Sequence, residues 1–196
     1  MTIHEPTITP TIIDLLPAPG EWTEAFYYIV SERGRLVELS DGNLEILPMP
    51  TDYQQLILGR LFIALFTFAN QYKLGQVRFA PLPVRLWPGK IREPDILFMS
   101  AAHTNRIEKY WGVPDLVVEI ISEGDAKRDR IEKLEDYAQA GIPEYWIVDP
   151  ETKIVDVFRL EGESYKLLAH LAESDSLASP TFPGLTYNLK DLFALA

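Results

Sequence analysis

Two carboxylates in apolar surroundings are the side chains of this sequence most suited to chemistry. Asp95 follows Pro94 at the start of one apolar run, and Glu119 stands inside another that is made of valine and isoleucine. A charged side chain is costly to bury in such a run unless it is paired or coordinates a cation. Hard divalent cations prefer a few carboxylates together with waters and phosphate oxygens. If the two strands converge, Asp95 and Glu119 predict a site for Mg²⁺ or Mn²⁺.

The composition limits what else could hold a metal. The sequence has no cysteine, which excludes disulfides, cysteine-ligated zinc and a thiol nucleophile. Its three histidines, His4, His103 and His170, are scattered, so a histidine-rich site is not expected. Any metal must therefore be held by oxygen ligands.

The net charge opposes the binding of nucleic acid. The 196 residues include 18 Lys and Arg against 29 Asp and Glu, a formal net charge of −11, whereas nonspecific phosphate binding generally uses a positive surface. Four cations nevertheless fall within seven residues close to Glu119: Lys127, Arg128, Arg130 and Lys133. Such a local patch is expected to hold a phosphate despite the net negative charge of the chain.

No signal peptide or membrane span is apparent. The N-terminus lacks a basic segment followed by an apolar run, and no stretch approaches the roughly 18 apolar residues of a membrane helix. These features predict a cytoplasmic protein without a membrane partner. The length and the 47% hydrophobic content predict one domain over residues 21–196, after a Pro-rich, extended arm at residues 1–20.

Patterning along the chain predicts helices on both sides of a run of strands. A short helix over 21–31 precedes a β-hairpin around the Ser-Asp-Gly turn at 40–42, which carries Glu38 in its first strand. Apolar spacing predicts a long, buried helix over 53–72 and a second over 125–140, capped by Asp125, with an apolar face formed by Ile131, Leu134, Tyr137 and Ala138. Strands are predicted over 76–80, 83–87, 92–99, 115–122, 144–148, 153–160 and 164–170, and a final helical turn over 189–195.

This order predicts an α/β or α+β fold in which helices flank a mixed sheet. A symmetric homodimer is also expected, because an extended arm and tail provide material for an interface between two copies.

Several spaced motifs resemble the Uma2 family, formerly a domain of unknown function, which is classed among the PD-(D/E)XK nuclease-like proteins. The hairpin motif Glu38-Leu-Ser-Asp-Gly42 matches the family's early Glu-Leu-x-Asp-Gly, and Glu119 follows the Pro-Asp95 pair by twenty-four residues. The later motifs are Glu119-Ile-Ile-Ser122, Asp129-Arg-Ile-Glu-Lys133-Leu-Glu-Asp-Tyr137 and Gly141-Ile-Pro-Glu-Tyr-Trp-Ile-Val-Asp149-Pro150. The resemblance covers about Trp22 to Phe193 and implies a restriction-endonuclease-like fold.

The resemblance also implies roles for single residues. Asp95 and Glu119 would bind the metal, with the backbone carbonyl of Ile120 as a third ligand, and Glu38 would complete the acidic cluster. Gln54 matches a family glutamine and is expected to touch Glu38 or waters of the metal, although Tyr53 stands where many members have histidine.

The lysine of the nuclease motif is missing from its usual place. Ile121 occupies that position, and strand alternation points it to the same face as Glu119. In Uma2-like sequences a lysine on the following helix takes its role, and the matching residue is Lys133, which would reach the site from its rim and hold the scissile phosphate. Lys127, Asp129 and Arg130 are further candidates for a supporting role.

Each candidate also has an ordinary structural interpretation. Asp95 could bond a neighbouring turn, Glu38 could be a solvent-facing cross-strand charge, and Lys133 could be an exposed partner of a nearby helix aspartate. Lys127 and Arg130 could be surface cations. The aromatic pair Tyr145-Trp146 is expected in the core, and Asp149-Pro150 is expected to form a turn after its strand.

Two functions remain open from the sequence. The first is a Mg²⁺-dependent endonuclease that hydrolyses phosphodiester bonds in nucleic acid through Asp95, Glu119 and Lys133, with support from Glu38. The second is a catalytically silent protein of nuclease fold that acts as a dimeric interaction or regulatory module, and the net charge of −11 favours it.

Overall fold

A computed structural model describes residues 16–108, 110–122 and 128–195 of the chain. Most of the predicted N-terminal arm, the predicted cap Asp125 and the candidate Lys127 lie outside these residues. The same holds for the side chains of Arg128 and Asp129.

The helices and strands follow closely the order that the sequence predicts. In chain order they are α1 (Glu24–Ser31), β1 (Val37–Ser40), β2 (Asn43–Ile46), α2 (Asp52–Tyr72), β3 (Gly75–Phe79), β4 (Val84–Trp87), β5 (Lys90–Arg92), β6 (Ile96–Ser100), β7 (Leu116–Ile120), α3 (Lys133–Gln139), β8 (Glu144–Asp149), β9 (Ile154–Glu161), β10 (Ser164–Ala172), β11 (Ser176–Leu177), β12 (Tyr187–Asn188) and α4 (Leu189–Phe193). A 3-10 helix, Ala101–Arg106, follows β6.

The larger sheet is mixed and has the strand order β10-β9-β8-β7-β6-β3. Its neighbouring strands run antiparallel except β7 and β8, which run parallel. A parallel pair requires a crossover connection, and the one between β7 and β8 contains α3. The fold class expected from the sequence, a mixed sheet flanked by helices, is therefore confirmed.

Helices pack on both faces of this sheet. Leu61 and Leu65 of α2 and Leu192 of α4 join one buried cluster on the face that carries Val118 and Ile120. On the opposite face Tyr137 of α3 packs in a second cluster with Val117, Ile121, Ile147 and the predicted core residue Tyr145. Strand alternation places Glu119 on this second face, so the crossover helix lies over it.

The predicted hairpin is the start of a smaller antiparallel sheet with the order β2-β1-β5-β4. Its turn places Asp41 and Gly42 at positive φ, which suits a tight two-residue hairpin. A Cβ at Gly42 would lie 2.3 Å from the carbonyl oxygen of Gly20, in the segment that precedes α1. Only glycine at position 42 therefore allows this segment to pack against the hairpin turn. Tyr27 of α1 then packs with Val37, Leu39 and Ile91 of this sheet.

The predicted strand over 92–99 is wrong as a single element. β5 belongs to the smaller sheet and β6 to the larger one, and Glu93, Pro94 and Asp95 form the passage between them. Proline has no N–H for a sheet ladder and favours an extended residue before it, which explains a break at this position. The break brings Glu93 and Asp95 to the junction of the two sheets.

Within the residues that the structure describes, the predicted helix over 125–140 differs in the part before Lys133. Residues Arg128–Glu132 form a π-helical turn, and the α-helix begins only at Lys133. A π turn changes the angular spacing of side chains, so a 3.6-residue wheel misplaces the residues before Lys133. Ile131, predicted on the apolar face, is 48% exposed, whereas Lys133 and Asp136 are buried.

Within the described residues no helix is long and apolar enough to cross a membrane.

Candidate active site

A cavity of about 440 Å³ lies at the junction of the two sheets. Asp95 from the passage just before β6, Glu119 and Ile120 from β7, and Lys133 from α3 all line it. Much of the remaining lining is apolar and comes from the segment between β2 and α2 and from the loop after β3. Asp95, Glu119, Ile120 and Lys133, the residues that the sequence assigned to the metal and the phosphate, therefore share one pocket.

Lys133 forms a buried ion pair with Glu119. Its Nζ atom lies 2.9 Å from Oε1 of Glu119, and only 4% of Lys133 is exposed. Tyr137, one helical turn further along, donates its hydroxyl to the same oxygen at 2.5 Å. Burial, followed by the negative charges of Glu119 and Glu38, raises the pKa of Tyr137 well above its usual value, so the hydroxyl remains a donor. The interpretation of Lys133 as an exposed surface residue is wrong.

Asp95 takes over a hydrogen bond where the sheet ladder ends. The pairing of β6 with β7 runs only as far as Ile96 opposite Val118. Beyond it, Oδ2 of Asp95 accepts a hydrogen bond of 2.7 Å from the backbone N–H of Ile120. Asp95 is thus fixed to the residue that follows Glu119, which holds the two carboxylates in a defined relation.

Glu38 is completely buried, at 0% exposure, so its interpretation as a solvent-facing charge is wrong. Its Oε2 accepts from Nη1 of Arg92 at 2.8 Å, and its Oε1 accepts from the backbone N–H of Glu93 at 3.0 Å. Lys133 Nζ lies 3.7 Å from Oε1 of Glu38, so this lysine lies between Glu38 and Glu119. Glu38 does not line the cavity; its contacts position Lys133 and the chain at Glu93.

Arg92 connects the smaller sheet to the crossover helix. Its guanidinium binds Glu38, Glu45 and, through Nε at 3.0 Å and Nη2 at 2.6 Å, Oδ2 of Asp136 on α3. Burial by itself lowers the pKa of Arg92, but Glu38 and Asp136 raise it further than burial lowers it, so the charge is retained. Lys90 binds the other oxygen of Asp136 at 3.1 Å. These ion pairs hold α3 against the sheet and thereby fix the position of Lys133.

Glu93 is a site carboxylate that sequence reasoning missed. It lines the cavity beside Asp95 and Glu119, is 5% exposed, and accepts a hydrogen bond of 2.8 Å on Oε1 from the hydroxyl of Tyr27. Burial, aided by the charge of Glu38, raises the pKa of Glu93 to about 7, although the hydroxyl groups of Tyr27 and Ser31 act on the carboxylate in the opposite direction. The available signal was a charged residue inside a predicted strand, the same signal that identified Glu119.

Gln54 makes its hydrogen bonds to partners other than Glu38, while its expected contact with waters of the metal stays a prediction. Its Nε2 donates to the carbonyl oxygen of Ile121 at 2.9 Å and to Oγ of Ser122 at 3.2 Å. Its Oε1 accepts from the backbone N–H of Thr51 at 2.7 Å and completes a capping box at the start of α2. Gln54 therefore anchors the end of β7 to the N-terminus of α2.

Arg130 points to another part of the sheet. Its guanidinium lies 2.5 Å from Oδ2 of Asp156 and 3.5 Å from Oδ2 of Asp149, and it is not among the residues that line the cavity. Asp149 also accepts from the backbone N–H groups of Glu151 and Thr152, which confirms the predicted turn. The side chain of Asp129 and all of Lys127 lie outside the described residues.

The donors in the cavity suit a hard divalent cation. They are carboxylate oxygens and the backbone around Ile120, and one buried carboxylate oxygen, Oε2 of Glu93, has no hydrogen-bond partner among the described residues. Within those residues, no three Asp, Glu or His side chains converge closely enough to enclose an ion. Mg²⁺ usually takes only one or two carboxylates and keeps several waters, whereas Ca²⁺ takes six to eight oxygen ligands. The donor set is thus of the oxygen type that a hard divalent cation takes, and the described residues do not form a complete protein cage for one.

Comparison with known proteins supports the fold described above. A family model described as "Uma2: Putative restriction endonuclease" matches residues 23–191. A crystal structure of a "putative nuclease belonging to DUF820" from Anabaena variabilis ATCC 29413 is similar to this chain, with a TM-score of 0.67 and 20% sequence identity. The similarity covers 80% of this chain and 89% of the other. No curated protein matches.

Proposed function

Because the chain belongs to the Uma2 family, we propose that it is a nuclease that hydrolyses phosphodiester bonds of nucleic acid with the help of Mg²⁺ or Mn²⁺. The observation that carries this proposal is the buried contact of 2.9 Å between Lys133 Nζ and Glu119 Oε1, in the wall of a cavity that Asp95 also lines. Asp95, Glu119 and Lys133 would form the acid, acid and lysine set of a PD-(D/E)XK site, with the lysine on the crossover helix.

Asp95 and Glu119 would hold the cation, together with the backbone carbonyl of Ile120. When bound, such a cation would polarise the scissile phosphate and lower the pKa of a water, and so would supply the Lewis acid and the nucleophile of phosphodiester hydrolysis. The hydrogen bond from Ile120 N–H to Asp95 and the one from Tyr137 to Glu119 orient the two carboxylates in advance. Such preorganisation is a main source of electrostatic catalysis.

Lys133 would stabilise the negative charge that develops on the phosphate. It is the one cationic residue among the described residues that line the cavity, and an ammonium group acts on phosphate as a compact point charge. Its ion pair with Glu119 and its closeness to Glu38 hold it in place before substrate enters. The net charge of −11 makes the approach of nucleic acid strongly dependent on salt and on the divalent cation.

A cleavage assay tests this proposal. Purified protein is incubated with supercoiled DNA, linear duplex, single-stranded DNA and RNA, with Mg²⁺, with Mn²⁺ and with EDTA. We expect cleavage of at least one substrate with a divalent cation and none with EDTA. Asp95→Asn and Glu119→Gln should both abolish it, while Lys166→Ala, which alters an exposed lysine on β10, should retain it. Cleavage that persists in Asp95→Asn would contradict the assignment of the site.

One observation favours a second candidate, a catalytically silent module of nuclease fold that associates as a homodimer. Glu119 is already engaged by both Lys133 and Tyr137, and a permanent arrangement of this kind would serve as a structural ion pair. Light scattering after gel filtration measures the oligomeric state. A stable dimer that cleaves none of the four substrates with either cation would favour this second function over the first.

A further inference from the structure

Glu93 carries the unexplained polar atom of the cavity. It is 5% exposed, and its Oε2 has no hydrogen-bond partner in the described part of the chain, although Tyr27 satisfies Oε1. A buried polar atom without a partner is costly, and a buried carboxylate more so. Buried polar groups that remain unsatisfied in a protein commonly mark a bound water or ion.

Other buried glutamates of the fold show how such groups are normally satisfied. Glu144 on β8 is 1% exposed, and it accepts hydrogen bonds from the hydroxyl of Ser179, the backbone N–H of Thr181 and the indole N–H of Trp146. Glu38 has Arg92 and the backbone N–H of Glu93. The protein can therefore provide partners for a buried glutamate when the role is structural, and Oε2 of Glu93 stands apart from this pattern.

Glu93 lies in the cavity together with the two carboxylates proposed to hold the cation. It lines the same cavity as Asp95 and Glu119, two residues before Asp95 in the passage between the two sheets. Its backbone N–H is held by Glu38 and its side chain by Tyr27 of α1, so that the carboxylate is fixed from two directions. A side chain held in this way is suited to orient a ligand.

We propose that Glu93 is a further residue of the cation site, where its Oε2 accepts a hydrogen bond from a water in the hydration shell of the cation held by Asp95 and Glu119. This inference rests on the proposed nuclease function, because that function supplies the cation. A divalent cation such as Mg²⁺ keeps several of its waters, and these waters need acceptors. A contact through water also agrees with the finding that no three Asp, Glu or His side chains of the described residues enclose an ion.

Glu93 is thus a positioning residue, and its effect should appear first in the affinity for the cation. Residues that bind the ligands or waters of a metal typically contribute about 10-fold to 100-fold to its affinity. We therefore expect Glu93→Gln to weaken Mn²⁺ binding by roughly that factor. Asp95→Asn, which removes a direct ligand, should weaken it more strongly.

The test is isothermal titration of Mn²⁺ into the full, metal-free chain, with electron paramagnetic resonance of free Mn²⁺ as a second measurement. Melting temperatures in EDTA check the fold. For Glu93→Gln they should be equal to the wild type or higher, because a neutral amide replaces a buried carboxylate with an unsatisfied oxygen. A merely structural role of Glu93 would instead lower the melting temperature and leave the affinity of the remaining folded protein unchanged.

Glu144→Gln is the matched control, since Glu144 is equally buried on β8 but does not line the cavity. It should lose thermal stability and keep its Mn²⁺ affinity. Equal affinities of Glu93→Gln and wild type, with binding lost in Asp95→Asn, would overturn the role of Glu93 and leave the proposed function intact. An equal weakening in Glu144→Gln would also overturn it. Absence of Mn²⁺ binding in the wild type would instead count against the proposed function itself.

Discussion

Lys133 on the crossover helix lies 2.9 Å from Glu119 on β7, and Tyr137 one turn later donates to the same carboxylate oxygen. The face of α3 formed by Lys133, Asp136 and Tyr137 is therefore polar and buried, and each of these side chains is bound to a charged side chain of another element. A helix would ordinarily turn such residues to solvent. Here the buried polar face assembles the cavity wall.

Replacement of Lys133 tests whether its charge acts on the phosphate. In Lys133→Met we expect nuclease activity to fall roughly 100-fold to 1000-fold, the usual effect of removing one group that stabilises transition-state charge. The affinity for Mn²⁺ should not fall, because a cation that competes for Glu119 has been removed. Initial cleavage rates and Mn²⁺ titration of the same preparation measure both. Full activity in Lys133→Met would contradict the assignment, and Lys166→Ala serves as the exposed-lysine control.

Replacement of Arg92 tests the ion pairs that hold α3 in place. Arg92→Met leaves Glu38 and Asp136 without their main cation in a buried setting, so we expect the free energy of unfolding to fall by about 3 to 5 kcal/mol. Arg85→Met is the matched change at an exposed ion pair with Glu24, and it should cost less than about 1 kcal/mol. Urea denaturation measures both; similar losses in the two variants would refute the buried role of Arg92.

Replacement of Gln54 tests the anchor at the end of β7. Gln54→Leu leaves the carbonyl of Ile121 without its side-chain donor and removes half of the capping box of α2. We expect a loss of roughly 1 to 3 kcal/mol in unfolding free energy, measured by urea denaturation. The exposed Gln71 lies in the same helix, and Gln71→Leu should change the stability little. A loss in Gln71→Leu as large as that in Gln54→Leu would show that the anchor contributes nothing specific.

Glu93 predicts a stability that falls as the pH rises in the absence of metal. Its pKa is raised from 4.5 to about 7 by burial, so between these values the unfolded chain releases this proton while the folded chain keeps it. The ionised carboxylate of Glu93 therefore destabilises the folded chain. This loss of unfolding free energy is absent below the unfolded pKa and complete above the folded pKa, where it reaches about 3 kcal/mol.

The measurement is urea denaturation in EDTA at several pH values, with Glu93→Gln as the comparison. The difference in unfolding free energy between the variant and the wild type should grow in favour of the variant across this range. A constant difference would mean that the pKa of Glu93 is not raised in the folded chain.

Elements with strong local signals were predictable from the sequence. The hairpin around Asp41-Gly42 and the 21-residue helix α2 follow from turn chemistry and apolar spacing. The pairing of Asp95 with Glu119 in one pocket followed from a charge in each of two apolar strands together with the family resemblance.

Features that depend on several distant residues were not predictable. The division of the strand at Glu93-Pro94-Asp95 reflects two sheets that compete for one segment, and periodicity within that segment does not reveal it. The π turn before Lys133 shifts the helix phase, so a wheel drawn through 125–140 placed Ile131 inside and Lys133 at the edge. The partner of Gln54 was missed because a capping box and a strand end meet only in the folded chain.

The apolar residue at position 121 limits which element of the fold can carry the lysine of the site. Ile121 is buried in one cluster with Tyr137, whose hydroxyl orients Glu119. A lysine at position 121 would bring a second ammonium group towards the same carboxylate and displace the packing that holds Tyr137. We therefore expect such a site to hold one lysine, either on the strand or on the helix. A relative with lysine at the position of Ile121 should differ at the positions of Lys133 and Tyr137 as well.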